Sequence, residues 1–175
     1  MDKKVLRNLS YGVYVVTSRE KDKNVGCIAN SIMQVTSNPS VIAVSINHDN
    51  YTNKVIKENN KFGVSILKET TDAKIIGTFG YKSSKDTDKF DGINFKEISE
   101  IPVLENTCGY MVCKVIDTME TSTHTIFLGE VIEADDYSTE NAMTYKYYHE
   151  NLKGSSPKNA PTYEETSISQ VDKDS

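Results

Sequence analysis

Apolar and polar positions alternate along most of the chain with the short period of a strand. YGVYVVTS, from Tyr11 to Ser18, is rich in β-branched and aromatic residues and predicts a first strand. The charged stretch Arg19 to Asn24 reads as a turn, and VGCIANSIMQVT runs back as a second strand. Asn and Pro in Ser37 to Pro39 turn the chain again. SVIAVSIN, from Ser40 to Asn47, is almost continuously apolar, which suits a central strand. The period then lengthens. Between Asn50 and Asn60, Val55 and Ile56 share a face among Lys and Glu, predicting a short helix that begins near Thr52, capped by Asn50 or Thr52. KFGVSIL returns to strand period, and ETTDAKIIGTFG predicts a second short helix capped by Thr70 or Thr71, with Ile75, Ile76 and Phe79 as its stripe. YKSSKDTDKFDG has neither period and reads as a charged loop. CGYMVCKVIDTMET and TIFLGEVIEADD are two long strands around a polar TSTH turn.

Strands therefore dominate, with two short helices. Short connections favour antiparallel pairing, and closure into a barrel or part-barrel removes exposed edges. The fold class is mainly β. At 175 residues the chain makes one domain, with a Pro-, Ser- and Asp-rich end expected to be disordered beyond about Tyr163.

Composition narrows the function. A net charge of -5 argues against a general nucleic-acid binder. No apolar run approaches a membrane span, and no apolar segment follows the charged N-terminus as a signal peptide would require. Cys27, Cys108 and Cys113 are odd in number and sit among apolar residues, as reduced thiols of a cytoplasmic protein do. No CxxC pair or His/Cys cluster suggests a metal, no GxGxxG follows a strand, and no HExxH or nucleophile elbow occurs.

Candidate chemistry gathers in a few stretches, each with a plainer alternative. ANSIMQVTSNP crowds hydroxyls and amides into one hairpin arm; it either faces water or offers donors to a flat heteroaromatic ligand. NYTNK places Thr52 and Lys54 at a helix start, where free N–H groups suit a phosphate, or where Asn50 simply caps. His124, at the mouth of a strand, is either a structural histidine or a ligand and proton contact. Lys89, at the end of KDTDK, belongs to a solvated loop or reaches an anionic cofactor. The YKYYH tyrosines read as a core or interface stripe, with stacking on an aromatic ligand as the alternative.

Taken in order, NLSYGVYVVTS, CIANSIMQVTSNPSVIAVSIN, NYTNKVIKENNKFGVSIL, FGYKSSKDTDKF, HTIFLGEV and YYHENLKGSSPKNAPTY resemble the flavin reductase-like family, over residues 3 to 163. The branch it looks most like is the anaerobe type often fused to rubredoxin. The resemblance implies a split β-barrel of Greek-key type with short flanking helices, spanning 1–163, and leaves 164–175 as an acidic tail. It implies a homodimer that binds FMN, less often FAD, and takes a hydride from NADH or NADPH. By similarity, Ala29, Asn30, Ser31, Gln34, Val35 and Thr36 would line the ring and ribityl chain. Asn47, Asn50, Thr52 and Lys54 would handle the phosphate end, with Lys89 as a further anion contact. His124 would stand near the flavin face where nicotinamide approaches. The expected function is an NAD(P)H-dependent flavin oxidoreductase. The competing expectations are a flavoredoxin-like FMN carrier reduced by another protein, or a split barrel whose pocket serves another ligand or an assembly. Two departures stand out. Ser84 replaces the branch's usual Gly in YKSG, and no paired cysteines follow APTY, so electrons are expected to pass to a separate acceptor such as rubredoxin.

Overall fold

The computed structural model describes residues 1–137, 140–152 and 162. A 3₁₀ helix, Lys3–Asn8, leads into strands β1 (Tyr14–Glu20), β2 (Lys23–Ala29), β3 (Ile32–Ser37) and β4 (Ser40–Asn47). Helix α1 (Tyr51–Asn59), strand β5 (Lys61–Ile66) and helix α2 (Ala73–Tyr81) follow. A small hairpin, β6 (Phe95–Ile98) and β7 (Ile101–Leu104), precedes the long strands β8 (Gly109–Glu120) and β9 (His124–Asp136), and α3 (Tyr145–Asn151) comes last.

Seven strands pair antiparallel in the order β2-β1-β5-β8-β9-β4-β3. The two edge strands, β2 and β3, are consecutive in sequence and joined only by Asn30 and Ser31. Laid flat, the edges of a seven-stranded sheet stand about 29 Å apart at ~4.8 Å per strand. The link from Ala29 to Ile32 reaches at most about 11 Å. The sheet therefore curls until its edges nearly meet, which is the mainly β split barrel expected from the sequence.

Curling sorts the apolar residues into an inside and an outside. Val16, Cys27, Ile42, Val44, Ile46, Ile56, Phe62, Val64, Cys113 and Phe127 fill the barrel interior. Val15, one residue from Val16, faces the other way with Val13, Leu67, Ile76, Phe79, Phe90, Leu104 and Met143, beneath α2 and α3. Burial on both faces of β1 explains its unbroken apolar run. The tyrosines of α3 form a stripe packed against this second cluster.

Several boundaries differ from the sequence reading. VGCIANSIMQVT is two strands, because Asn30–Ser31 carries the chain from one sheet edge to the other. The first turn shrinks to Lys21 and Asp22, with Lys21 at φ 55°. Asn50, not Thr52, caps α1, accepting from the Thr52 N–H at 3.1 Å. Asp72, rather than Thr70 or Thr71, caps α2, since its carboxylate accepts from the Lys74 N–H at 2.9 Å. The 3₁₀ helix and the β6–β7 hairpin lacked a clear period and were not anticipated. The tail expected at 164–175 lies outside the described residues.

Gly129, on β9, is a position where the barrel tolerates no side chain. A Cβ there would lie 2.6 Å from the buried Phe62 ring and 2.8 Å from the Cys113 Cβ. Gly129→Ala is expected to lower unfolding stability by about 1–3 kcal/mol through overpacking, read as a shift in the urea midpoint.

Candidate functional site

The opening of the barrel lies where β2 gives way to β3, and three chain segments meet there. The crossing residues come first. Asn30 is buried, its amide donates to the Thr162 hydroxyl at 2.7 Å, and the Ser31 hydroxyl donates to its Oδ1 at 3.0 Å. The Ser31 carbonyl accepts from the Ser45 N–H of β4 at 3.1 Å, which ties the crossing to the strand beside it. Ala29 is buried just before them.

The second segment is the β4–α1 junction. The Asn47 Oδ1 accepts from the Asp49 N–H at 2.8 Å, and Asn50 caps the helix. Lys54 is exposed on the first turns of α1, with its ammonium 5.6 Å from the Tyr51 ring centroid and 3.9 Å from Glu58. Lys23, from the start of β2, approaches the same ring at 5.4 Å and donates to the Lys85 carbonyl at 3.2 Å. Two ammonium groups thus flank Tyr51, whose hydroxyl donates to the Glu20 carboxylate at 2.5 Å, at a helix start whose dipole favours an anion although Asn50 takes up the Thr52 and Asn53 N–H groups. Lys23 was not singled out from the sequence. Its closeness to Tyr51 arises only once β2 folds back beside α1, and no spacing along the chain signals it.

The third segment is the start of β9. His124 is half-buried, its Nδ1 is 2.8 Å from the Thr123 Oγ1, and in the strand ladder it pairs with Asn47. Asn30, Ser31, Asn47, Asn50 and His124 therefore gather at one end of the barrel.

Gln34, Val35 and Thr36 lie elsewhere on the same edge. Gln34 pairs with Ile42 and Thr36 with Val41, with a bulge between them. From Val41 to Asn47 the strand covers about 20 Å at ~3.3 Å per residue. A ligand touching both groups has to lie along the strand. Every residue of β3 after Ile32 is exposed, and as an edge strand it leaves one line of backbone N–H and C=O groups without strand partners. The bulge breaks the ladder further at Val35. Gln34 and Thr36 are engaged locally, donating to the Thr36 carbonyl at 3.2 Å and the Pro39 carbonyl at 2.6 Å respectively.

Two of the candidate residues are enclosed. The Thr52 hydroxyl is fully buried and turned to the Cys27 thiol, while its N–H serves the Asn50 cap. Lys89 is 3% exposed, and its ammonium donates to the Gly26 carbonyl at 2.7 Å and the Phe79 carbonyl at 3.1 Å. Burial pulls the Lys89 pKa down, partly offset by the neighbouring Cys27. The Cys27 thiol is itself pushed up by burial, against smaller downward pulls from Lys89, Thr52 and Asn50.

Ser84, the departure noted in the sequence, has a clear job. Its hydroxyl accepts from the Gly26 N–H at 3.1 Å and donates to the Gly26 carbonyl at 3.0 Å, so Ser84 and Lys89 together occupy the outward backbone groups of edge strand β2 at Gly26. Ser84→Ala is expected to leave a buried N–H unpaired and to cost about 1–3 kcal/mol of stability in denaturant melts.

Comparison with known proteins identifies the family. Residues 6–156 match the flavin reductase like domain, and the chain belongs to that family. It is 41% identical over 166 residues to the high molecular weight rubredoxin of Moorella thermoacetica, covering 93% of this chain and 72% of that protein. It is 37% identical over 168 residues to the ferric-chelate reductase (NAD(P)H) of Archaeoglobus fulgidus, covering 95% of this chain and 99% of that one. An NADH:FAD oxidoreductase of Streptomyces globisporus superposes with a TM-score of 0.74 at 26% identity, over 81% of this chain and 85% of the other. A flavoredoxin of Methanosarcina acetivorans superposes with a TM-score of 0.69 at 24% identity, over 74% and 70%, a likeness of fold.

The residues present fit a flavin mononucleotide. It is elongated, as the spread of candidate residues along β4 demands. The unpaired, bulged edge of β3 offers backbone donors and acceptors beside the exposed apolar side chains of Met33 and Val35. The far end offers a capped helix start with Lys54 and Lys23 for a phosphate.

Proposed function

We infer that this chain is an FMN-binding oxidoreductase that draws reducing equivalents from NADH or NADPH and passes electrons to a separate acceptor. The observation that carries this is the juxtaposition, in a member of this family, of an exposed polar edge strand with a capped helix start bearing Lys54, at the Asn47 end of the barrel opening. When bound, the flavin supplies the hydride-accepting and electron-releasing chemistry, and the protein supplies position and electrostatics. The edge of β3, chiefly Gln34, Val35 and Thr36, together with Ala29, Asn30 and Ser31, holds the ring system and ribityl chain. Asn47, Asn50 and Lys54, with Lys23, hold the phosphate. Thr52, whose N–H anchors the Asn50 cap, contributes by fixing the helix start and Lys89 by fixing β2, since both side chains are enclosed.

His124 stands at the Asn47 end of the site, on the sheet face away from the core, and we assign it to nicotinamide placement or proton handling there. His124→Ala is expected to lower turnover with NAD(P)H by about 10²-fold while FMN still binds. Full turnover with unchanged KM would remove His124 from the mechanism.

The working unit in this reading is a homodimer in the cytoplasm. Supporting it is an apolar outer sheet face. Ile126, Leu128 and Ala43 alternate with core residues along β9 and β4, and exposed Met33 and Met119 extend the patch across β3 and β8. An exposed apolar edge of this kind invites association unless covered. Light scattering is expected to give twice the chain mass, and Met33→Lys to shift the species toward monomer; a wild-type monomer at micromolar concentration would contradict the dimer.

The Moorella relative's name suggests a rubredoxin-type acceptor and the Archaeoglobus relative's a ferric chelate. The decisive test of the enzyme reading is an anaerobic absorbance titration of FMN-loaded protein with NADH, then NADPH. Rapid bleaching of the flavin bands is expected. Bands that only a chemical reductant bleaches would instead make the protein an electron carrier.

A further inference from the structure

Beneath the Asn47, Asn50 and His124 end of the site lies a buried polar chain that the functional reading does not use. Asn53, 2% exposed on α1, donates from its amide nitrogen to the Ile46 carbonyl and to the Thr125 Oγ1, each at 3.0 Å. A carbonyl only accepts, so the amide's orientation is fixed by its surroundings. Thr125, fully enclosed at 0% exposure, donates a hydrogen bond from its hydroxyl to the Glu120 carboxylate, 3.0 Å from either oxygen. That carboxylate also receives the Lys57 ammonium at 2.9 Å and the His48 Nε2 at 2.7 Å. The hydrogen bonds run one way, from helix to carboxylate, and each hydroxyl and amide proton has a single use.

The chain of contacts joins four segments: the end of β4, the first turns of α1, the end of β8 and the start of β9. Each anchor is next to a site residue. Ile46 precedes Asn47, the Asn53 N–H donates to the Asn50 carbonyl at 2.9 Å, and Thr125 follows His124. Apolar side chains of the same size would fill the space but let the segments slide. An amide and a hydroxyl that no water can reach hold one register, because any other leaves them unpaired.

We propose that Asn53 and Thr125 are positioning residues that lock the phosphate-binding turn, Asn47 to Asn50, to the strand start carrying His124, so that both parts of the flavin site move as one. The proposal rests on the functional reading in taking these residues as one site. Neither residue touches the ligand, since both are enclosed.

The test uses full-length Thr125→Val, Thr125→Ser and Asn53→Leu. Flavin fluorescence quenching gives the FMN Kd, steady-state assays separate kcat from KM, and amide hydrogen exchange is read on the flavin-free proteins. Thr125→Val and Asn53→Leu are expected to raise the FMN Kd roughly tenfold, within the range that one lost buried hydrogen bond carries. Thr125→Ser is expected to restore most of it. In flavin-free Thr125→Val, exchange should accelerate together in residues 47–53 and 121–126. Wild-type FMN affinity in Thr125→Val, failure of Thr125→Ser to rescue, or acceleration confined to one segment would overturn the positioning role. Because exchange is read without flavin, that failure is separate from failure of the functional reading, which a wild-type protein unable to bind FMN would show.

Discussion

Two residues, Asn30 and Ser31, carry the chain between the two edges of a seven-stranded sheet, and no flat or gently twisted arrangement lets so short a link span that distance. Closure of the barrel follows from this constraint. So does the place of the candidate site, since the link crosses where the edges approach without pairing. A fully hydrogen-bonded barrel would have no free strand edge, whereas this one leaves the outer line of β3 open. Ser45 holds the link against β4 and Asn30 reaches Thr162, so the crossing is braced from both sides.

The other edge is treated differently. The outward backbone groups of β2 at Gly26 are taken by Ser84 and by the buried ammonium of Lys89. One edge is thereby covered at Gly26 by side chains from the Ser83–Phe90 loop, and the outer line of the other stays exposed. The buried cation is tolerable because two carbonyls and the face of Phe79, 5.8 Å away, take the place of water. This explains why a residue that looks like an anion contact in sequence is turned inward in the fold.

What could be read from the chain alone follows from the range of the forces involved. Strand period, the apolar centre of β4 and the α1 stripe are local patterns, and the structure keeps them. Caps were legible only to within a choice of neighbouring Asn, Asp and Thr residues, because any of them can accept from a helix N–H. The break of one long run into β2 and β3 was not legible, since Asn30 and Ser31 are unremarkable except for what they connect. The enclosure of Thr52 and Lys89, the approach of Lys23 to Tyr51 and the Asn53–Thr125–Glu120 chain each join residues distant in sequence. Family resemblance supplied the cofactor expectation that periodicity could not, while the geometry redistributed the roles of the individual residues.

The central claim is that one elongated site runs from the open edge of β3, past the Asn30–Ser31 crossing, to the start of α1. An FMN titration of isotope-labelled protein, followed by amide chemical shifts, tests it most directly. The account predicts concerted shifts at residues 29–36, 47–54 and 124, with little change at the β6–β7 hairpin or α2. Shifts centred on those distant elements, or none at saturating FMN, would contradict it.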